Sequence, residues 1–154
     1  MKAVGKRAYW KLLVGVVAAG VLLVLAIVLI SGQEATAPVA NKVSLTGFKT
    51  ETVNTTATRN RGLGGHASLG SNEAMVFDFS DGANGQCFWM KDMMFSIDIV
   101  WLDENNQVAK IADNVSPATY PKSFCAEQNP KYVIELAAGR ASELGLQVGS
   151  QVKL

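Results

Sequence analysis

An unbroken apolar run near the N-terminus constrains this chain most strongly. Residues 12–30 read LLVGVVAAGVLLVLAIVLI, nineteen residues without a charge or a proline. As a helix rising about 1.5 Å per residue, this run spans about 28 Å, close to the roughly 30 Å hydrocarbon core of a bilayer. A helix on the surface of a soluble domain carries polar residues along one face, and this run carries none. The sequence therefore predicts a single transmembrane helix over residues 12–30.

The residues on either side of the apolar run predict its orientation in the membrane and whether it is cleaved. Residues 1–11 carry four basic side chains and no acidic one, and positively charged flanks stay in the cytoplasm. We therefore expect a cytoplasmic tail over residues 1–11 and a C-terminal domain outside the cytoplasm, in a periplasm or on the cell surface. A cleaved signal peptide is the competing interpretation, but its apolar region usually has about 7–15 residues. The A-x-A sequence at 35–37 is followed by Pro38, which disfavours cleavage and favours an uncleaved signal-anchor.

The chain beyond the apolar run changes its hydrophobic period. Residues 31–42 are mostly small and polar and are predicted to be a linker. From residue 43 onward, apolar residues recur at every second position, as in AMVFDF at 74–79 and IDIVWL at 97–102, which is typical of strands. Short strands dominate residues 43–154, with one or two short helical segments among them. The pattern predicts a mainly β domain, a small β-sandwich or barrel, over residues 43–154.

The charge of this domain restricts its partners. Residues 34–154 contain ten Lys and Arg residues against thirteen Asp and Glu residues, a net charge of −3. Nucleic-acid binding depends on basic surfaces that neutralise phosphates, so we expect no nucleic-acid partner. The expected partners are the membrane, through the single N-terminal span, and an unknown small-molecule or protein ligand.

Two cysteines, Cys87 and Cys125, both fall in the predicted extracytoplasmic domain. An even count in an oxidising compartment favours a disulfide, which would stabilise the fold by about 4 kcal/mol through the loop that it closes. Two buried free thiols are the alternative. The C-x-x-C motif of disulfide-exchange enzymes is absent from the sequence.

A lysine beside a tryptophan stands out in the apolar stretch CFWMKD at 87–92. Strand periodicity places Trp89 and Lys91 on one face, and Phe88 and Met90 on the other. A lysine on the wall of a pocket can bind an anionic ligand or act as a base, whereas a lysine that lies along Trp89 and reaches solvent needs no function. Burying the ammonium unpaired would cost several kcal/mol. We therefore expect Trp89 and Lys91 to form one wall of a shallow cleft, with Arg61 or Glu135 nearby.

Two carboxylates alternate with apolar residues in the predicted strands. Asp98 lies between two isoleucines, and Glu135 lies between Ile134 and Leu136. A carboxylate pair can support general acid–base chemistry, including glycoside hydrolysis, when the two carboxyl groups are at the distance that the reaction requires. Salt bridges to Lys91 or to an arginine at 61 are the favoured structural alternative. The candidate ligand-binding residues are Arg61, Trp89, Lys91, Asp98 and Glu135.

The glycine-rich sequence RGLGG at 61–65 and the methionines offer two weaker possibilities. The glycines either form a backbone amide cradle for an anion or allow a tight turn with positive φ. Thioethers favour Cu(I), but the spacing M-x-x-M-M scatters methionines over both faces of a strand, and core packing is their ordinary role. We therefore expect no metal and no cofactor, and we keep copper as an alternative. Its candidate ligands are Met75, Met90, Met93, Met94 and His66.

The order of several segments resembles a known family. RGLGG at 61–65, AMVFDF at 74–79, FWMKD at 88–92, IDIVWLD at 97–103 and YVIELAAGRASELGLQVGS at 132–150 occur in that order. This pattern resembles the prokaryotic family called domain of unknown function 192, and it spans roughly residues 43–154. The resemblance implies a compact, mainly β domain that is often exported or anchored, and it implies no known activity. The chain departs from the family pattern at His66, Asp92 and Met93, and only some members have the paired cysteines.

These observations favour a membrane-anchored, extracytoplasmic β domain that serves as a binding or interaction module at the cell envelope. The first alternative is a hydrolase-like enzyme that uses Lys91 with Asp98 or Glu135. The second alternative is copper binding through methionine and histidine.

Overall fold

A computed structural model describes residues 41–154 of the protein. The predicted cytoplasmic tail, the predicted transmembrane helix and nearly all of the predicted linker therefore lie outside the described residues. Within residues 41–154, no helix is long and apolar enough to cross a membrane.

Strands make up most of the regular structure of the described residues. The strands are β1 (Lys42–Ser44), β2 (Lys49–Val53), β3 (Glu73–Asp78), β4 (Cys87–Trp89), β5 (Ile97–Leu102), β6 (Val108–Val115), β7 (Ser123–Cys125), β8 (Tyr132–Ala137) and β9 (Gln151–Lys153). The helices are α1 (Thr56–Arg61) and α2 (Arg140–Glu143), and one 3₁₀ turn covers Pro117–Thr119. The prediction of a mainly β domain with one or two short helices is confirmed.

The strands form one five-stranded sheet and two small two-stranded sheets. The order of the large sheet is β2-β3-β8-β5-β6, with β2 parallel to β3 and every other neighbour antiparallel. β1 pairs in parallel with β9, and β4 pairs with β7 as an antiparallel ribbon. β5 and β6 form a hairpin around the sequence DENNQ at 103–107. The side chain of Asp103 holds its turn, because its Oδ1 accepts hydrogen bonds from the backbone N–H groups of Asn105 and Gln107.

Both faces of the five-stranded sheet are covered, so the domain has two hydrophobic layers. β5 is buried at every one of its positions. We call the first side of the sheet the cleft face; its core includes Met75, Phe77, Ile99, Trp101 and Val133. We call the other side the helix face, because Ala141 of α2 packs there; its core includes Ala74, Val100, Leu102, Ile134 and Leu136.

The ribbon of β4 and β7 packs on the cleft face through a phenylalanine. Cys87 and Cys125 are directly opposite each other in the ribbon and form the predicted disulfide. The ring of Phe88 meets the ring of Phe77 edge-on, with 4.8 Å between centroids, and meets Trp101 at 6.0 Å. Alternation along the strand then turns the neighbouring Trp89 outward, where 53% of it is exposed.

Candidate ligand-binding cleft

A cleft of about 320 Å³ opens on the cleft face of the sheet. α1 and the glycine-rich loop after it form one wall, and β4 with the residues that follow it forms another. The volume lies at the small end of the range for ligand pockets, about 300–1,000 Å³. The cleft brings together four of the five candidate residues, namely Arg61, Trp89, Lys91 and Glu135.

Glu135 lies in the middle of β8, where strand pairing fixes its direction. Its partners are Met75 in β3 and Ile99 in β5, so its side chain lies on the cleft face. Only 5% of Glu135 is exposed, and its Oε2 atom has no hydrogen-bond partner among residues 41–154. Burial raises the pKa of this carboxyl from 4.5 to about 8. At neutral pH the group is therefore mostly a neutral acid, which carries one O–H donor and retains acceptor capacity.

Lys91 and Arg61 are exposed residues of the cleft wall and have no acidic partner in the described part of the chain. The sequence prediction that Asp98 or Glu135 would form salt bridges with them is therefore wrong. The cationic groups meet only one carboxyl in the cleft, that of Glu135, and it is mostly neutral at pH 7. The cleft is thus lined by two cationic side chains that have no acidic partner in the described part of the chain, an arrangement that attracts anions.

Arg59 is a further cleft residue that sequence reasoning missed. Its guanidinium lies 4.7 Å from the ring centroid of Phe79, and its Nη2 donates a hydrogen bond to the Asp81 carboxylate at 2.8 Å. This hydrogen bond holds the pKa of Asp81 below its usual value. The Nε atom of Arg59 is buried and has no hydrogen-bond partner in the described part of the chain. The only signal in the sequence was a second arginine two positions before Arg61, and a lone arginine on a six-residue helix usually points to solvent.

Arg59 and Arg61 lie on α1, and the residues at the two ends of this helix fix its position in the cleft wall. A capping box starts the helix, because Thr55 and Thr58 each accept a hydrogen bond from the backbone N–H of the other at 3.2 Å. The helix ends at Gly62, which has a φ of 49°. A Cβ at this position would lie 3.2 Å from the ring of Phe77, so the glycine permits close packing of the helix end on the sheet.

The glycine-rich loop is a turn and does not form the amide cradle that was one of the two possibilities. The backbone N–H groups of Gly62, Gly64 and Gly65 donate to the carbonyls of Thr58, Arg61 and Asp92. These donors are therefore already used within the protein. The bond between Gly65 and Asp92 also ties the loop to the segment that carries Lys91, which connects the two walls of the cleft.

Asp98 does not belong to the cleft. In the pairing of β5 with β8, Asp98 is opposite Leu136, whereas Glu135 is opposite Ile99, so the two carboxylates lie on opposite faces of the sheet. Asp98 is fully buried and accepts hydrogen bonds from the backbone N–H groups of Asn114 at 2.7 Å, Gly139 at 3.0 Å and Ala141 at 2.8 Å. Its role is to hold the start of α2 against the sheet. A catalytic pair of Asp98 with Glu135 is therefore wrong.

The candidate copper ligands do not line one site. Met90 is buried in the core, and Met94 is 61% exposed. Met93 lines the cleft, whereas His66 and Met75 line a separate, smaller cavity next to β2. Among residues 41–154 there is also no group of three or more His, Cys, Asp or Glu side chains that could hold a metal ion.

The geometry describes a small, mixed β domain with a disulfide-bonded ribbon beside one cationic cleft. Residues 38–154 match the family model DUF192, "Uncharacterized ACR", and the chain belongs to this family. The resemblance found in the sequence is thus confirmed, and none of the curated proteins matches the chain.

Two crystal structures share the fold. A protein of unknown function from Novosphingobium aromaticivorans DSM 12444 is 28% identical, with a TM-score of 0.64 over 70% of this chain and 75% of that one. A protein from Sinorhizobium meliloti 1021 described as a "putative transcription regulator" is 25% identical, with a TM-score of 0.59 over 65% of this chain and 76% of that one.

Proposed function

We propose that this protein is a membrane-anchored, extracytoplasmic binding module whose cleft binds a small anionic ligand. The main support for this proposal is the set of charged side chains that line the cleft. Three cationic side chains line the cavity: Arg59 is paired with Asp81, whereas Arg61 and Lys91 have no acidic partner among residues 41–154. Within that range, the mostly neutral Glu135 is the one carboxyl that lines the cavity. An anion beside Arg61 and Lys91 would gain attraction without displacing a carboxylate that already pairs with them.

Trp89 adds a second reason to place a ligand in this cleft. Most large aromatic side chains of a small domain are buried, yet 53% of Trp89 is exposed beside Lys91 and the cleft. An exposed indole offers a rigid, flat contact surface that loses little conformational entropy on binding. The adjacent lysine supplies the charge. Together they suit a ligand that has both an anionic group and an apolar face.

Binding is favoured over catalysis by the small number of reactive groups in the cleft. The hydrolase-like alternative required Lys91 with Asp98 or Glu135, and only Glu135 lies in the cleft with Lys91. Cys87 is bonded to Cys125, and His66 lies outside the residues that line the cleft. A single carboxyl next to an exposed lysine can orient a ligand, but it does not provide the acid–base pair of a hydrolase.

The location in the membrane is proposed from the sequence. The apolar run at 12–30 with its basic flank supports a signal-anchor, and residues 31–42 would tether the domain outside the cytoplasm. The disulfide between Cys87 and Cys125 supports this location, because disulfides persist mainly in oxidising compartments.

Nucleic-acid binding is less well supported, although one structural relative carries the description "putative transcription regulator". Residues 34–154 have a net charge of −3, which repels a polyanion. The two described helices have six and four residues, which is too short for a helix that reads a DNA groove. We therefore propose a small anion as the ligand.

The proposal is tested by calorimetric titration of the full-length protein in detergent with inorganic phosphate and with acetate. We expect one or both anions to bind, and Lys91→Met to weaken that binding about tenfold, which corresponds to about 1.4 kcal/mol for one charge-assisted contact. Lys153→Met is the matched control, because Lys153 is exposed on β9 and does not line the cleft. Absence of binding, or equal weakening by both substitutions, would refute the proposal.

A further inference from the structure

We propose that the ligand of the cleft is a sugar that bears one anionic group, either a sugar acid or a sugar phosphate, and that Glu135 selects for its hydroxyl groups. This inference rests on the proposed binding of an anion in the cleft and names the chemical class of the ligand.

The first support is an unpaired polar group in the cleft. Buried polar atoms of folded proteins are nearly always hydrogen-bonded, yet the buried Oε2 of Glu135 has no partner within the residues that the structure describes. The sheet neighbours of Glu135 on the cleft face, Met75 and Ile99, are apolar and offer none. Arg59 Nε, on the wall formed by α1, is a second buried atom without a partner. One acceptor group and one donor in the same cleft thus lack protein partners.

The protonation state of Glu135 decides which ligand group suits it. Because burial raises its pKa to about 8, the carboxyl is mostly neutral at pH 7 and both donates and accepts hydrogen bonds. A hydroxyl group has the same dual capacity and carries no charge that would need hydration. A ligand ammonium would prefer an ionised carboxylate, and the cationic residues Arg59, Arg61 and Lys91 would repel it. The ligand's own anionic group is matched instead by the exposed Lys91 and Arg61.

The remaining lining of the cleft suits a sugar ring. A sugar ring has polar edges and apolar C–H faces, and the cleft presents the exposed aromatic side chain of Trp89 and two exposed asparagines, Asn60 and Asn84. Aromatic faces pack against apolar ring faces, and side-chain amides bind hydroxyl groups at the ring edge.

The test compares sugar anions with bare anions by titration calorimetry of the full-length protein in detergent. The probes are D-glucuronate with acetate as its bare counterpart, glucose 6-phosphate with inorganic phosphate, and D-glucose without a charge. Glycine, which adds an ammonium to acetate, is the control for an ionised Glu135. We expect at least one sugar anion to bind tenfold or more tightly than its bare counterpart, and D-glucose to bind more weakly than that sugar anion. Whichever sugar anion binds distinguishes a sugar acid from a sugar phosphate.

Two substitutions assign the preference to Glu135. Glu135→Leu removes both hydrogen-bonding atoms from the buried position, and we expect the preference for the sugar anion to fall to less than about twofold while the bare anion still binds. Glu135→Gln keeps a donor and an acceptor, and we expect it to retain most of the preference. Circular dichroism of each variant checks that the fold is intact.

Each outcome separates this inference from the proposed function. If bare anions bind as tightly as sugar anions, or if Glu135→Leu keeps the full preference, the inference is wrong and anion binding stands. If glycine binds more tightly than acetate, Glu135 acts as an ionised carboxylate and the inference is also wrong. If no anion binds, the proposed function itself fails.

Discussion

The buried carboxyl of Glu135 makes the stability of the domain depend on pH, and Glu135→Gln should remove that dependence. In the unfolded chain the pKa of this group is 4.5, and in the folded protein burial raises it to about 8. A raised carboxyl pKa means that the folded state holds a proton that the unfolded state has released. The contribution to stability is therefore fully present below pH 4.5 and is lost as the pH rises through 8.

The magnitude follows from the linkage relation. Between the two pKa values, each pH unit lowers the free energy of unfolding by about 1.36 kcal/mol. Allowing for partial titration at both ends of the window, the loss between pH 5 and pH 7 is about 2.5 kcal/mol. Glutamine has nearly the same shape and does not titrate. Its unpaired amide lowers the stability by about 1–3 kcal/mol, but by the same amount at every pH.

The assay is urea unfolding of the full-length protein in detergent, followed by the fluorescence of the buried Trp101. The difference in unfolding free energy, Glu135→Gln minus wild type, should increase by about 2.5 kcal/mol from pH 5 to pH 7. The lowered pKa values of Glu73 and Asp81 are common to both proteins, so their contributions cancel. Parallel stability curves for the two proteins would refute a neutral, buried Glu135.

Three further predictions concern the buried Asp98, the disulfide and the proposed membrane anchor. Asp98→Ala should lower the free energy of unfolding by about 3 kcal/mol in urea, because three backbone N–H donors, of which that of Ala141 is buried, lose their acceptor; a loss below about 1 kcal/mol would contradict this role. Cys87 and Cys125 should resist alkylation in the native protein until a reductant is added, and free labelling without a reductant would exclude the disulfide. The protein should remain in membranes during carbonate extraction because of residues 12–30, and a soluble form that starts near Pro38 would refute the anchor.

Local alternation predicted the strands well, because side-chain direction along a strand depends only on the neighbouring residues. Phe88 and Met90 were expected to face the core, and both pack there. The alternation was also expected to run through Lys91, but β4 ends at Trp89. Lys91 lies in the turn that follows, and it lines the cleft together with Trp89. The resemblance in segment order then identified the family correctly.

Strand pairing could not be predicted from local patterns, and this explains the error about Asp98 and Glu135. Within its own strand, each carboxylate lies on the side away from its apolar neighbours. The register between the strands pairs Glu135 with Ile99, and Asp98 with Leu136, so Asp98 and Glu135 lie on different faces of the sheet. Because both faces of β5 are buried, alternation there no longer separates core from surface. Arg59 was missed for a related reason, since its place in the cleft depends on how α1 packs on the sheet.

The most direct test of an anion-binding cleft is to locate the bound anion. Inorganic phosphate can be titrated into the full-length ¹⁵N-labelled protein in detergent while ¹H–¹⁵N NMR spectra are recorded. We predict that the largest shift changes occur at the indole N–H of Trp89 and at the backbone amides of Arg61 and Lys91. These changes should require about tenfold more phosphate in Lys91→Met and should be unaffected in Lys153→Met. Shift changes confined to residues outside the cleft, or no changes at all, would contradict the proposal.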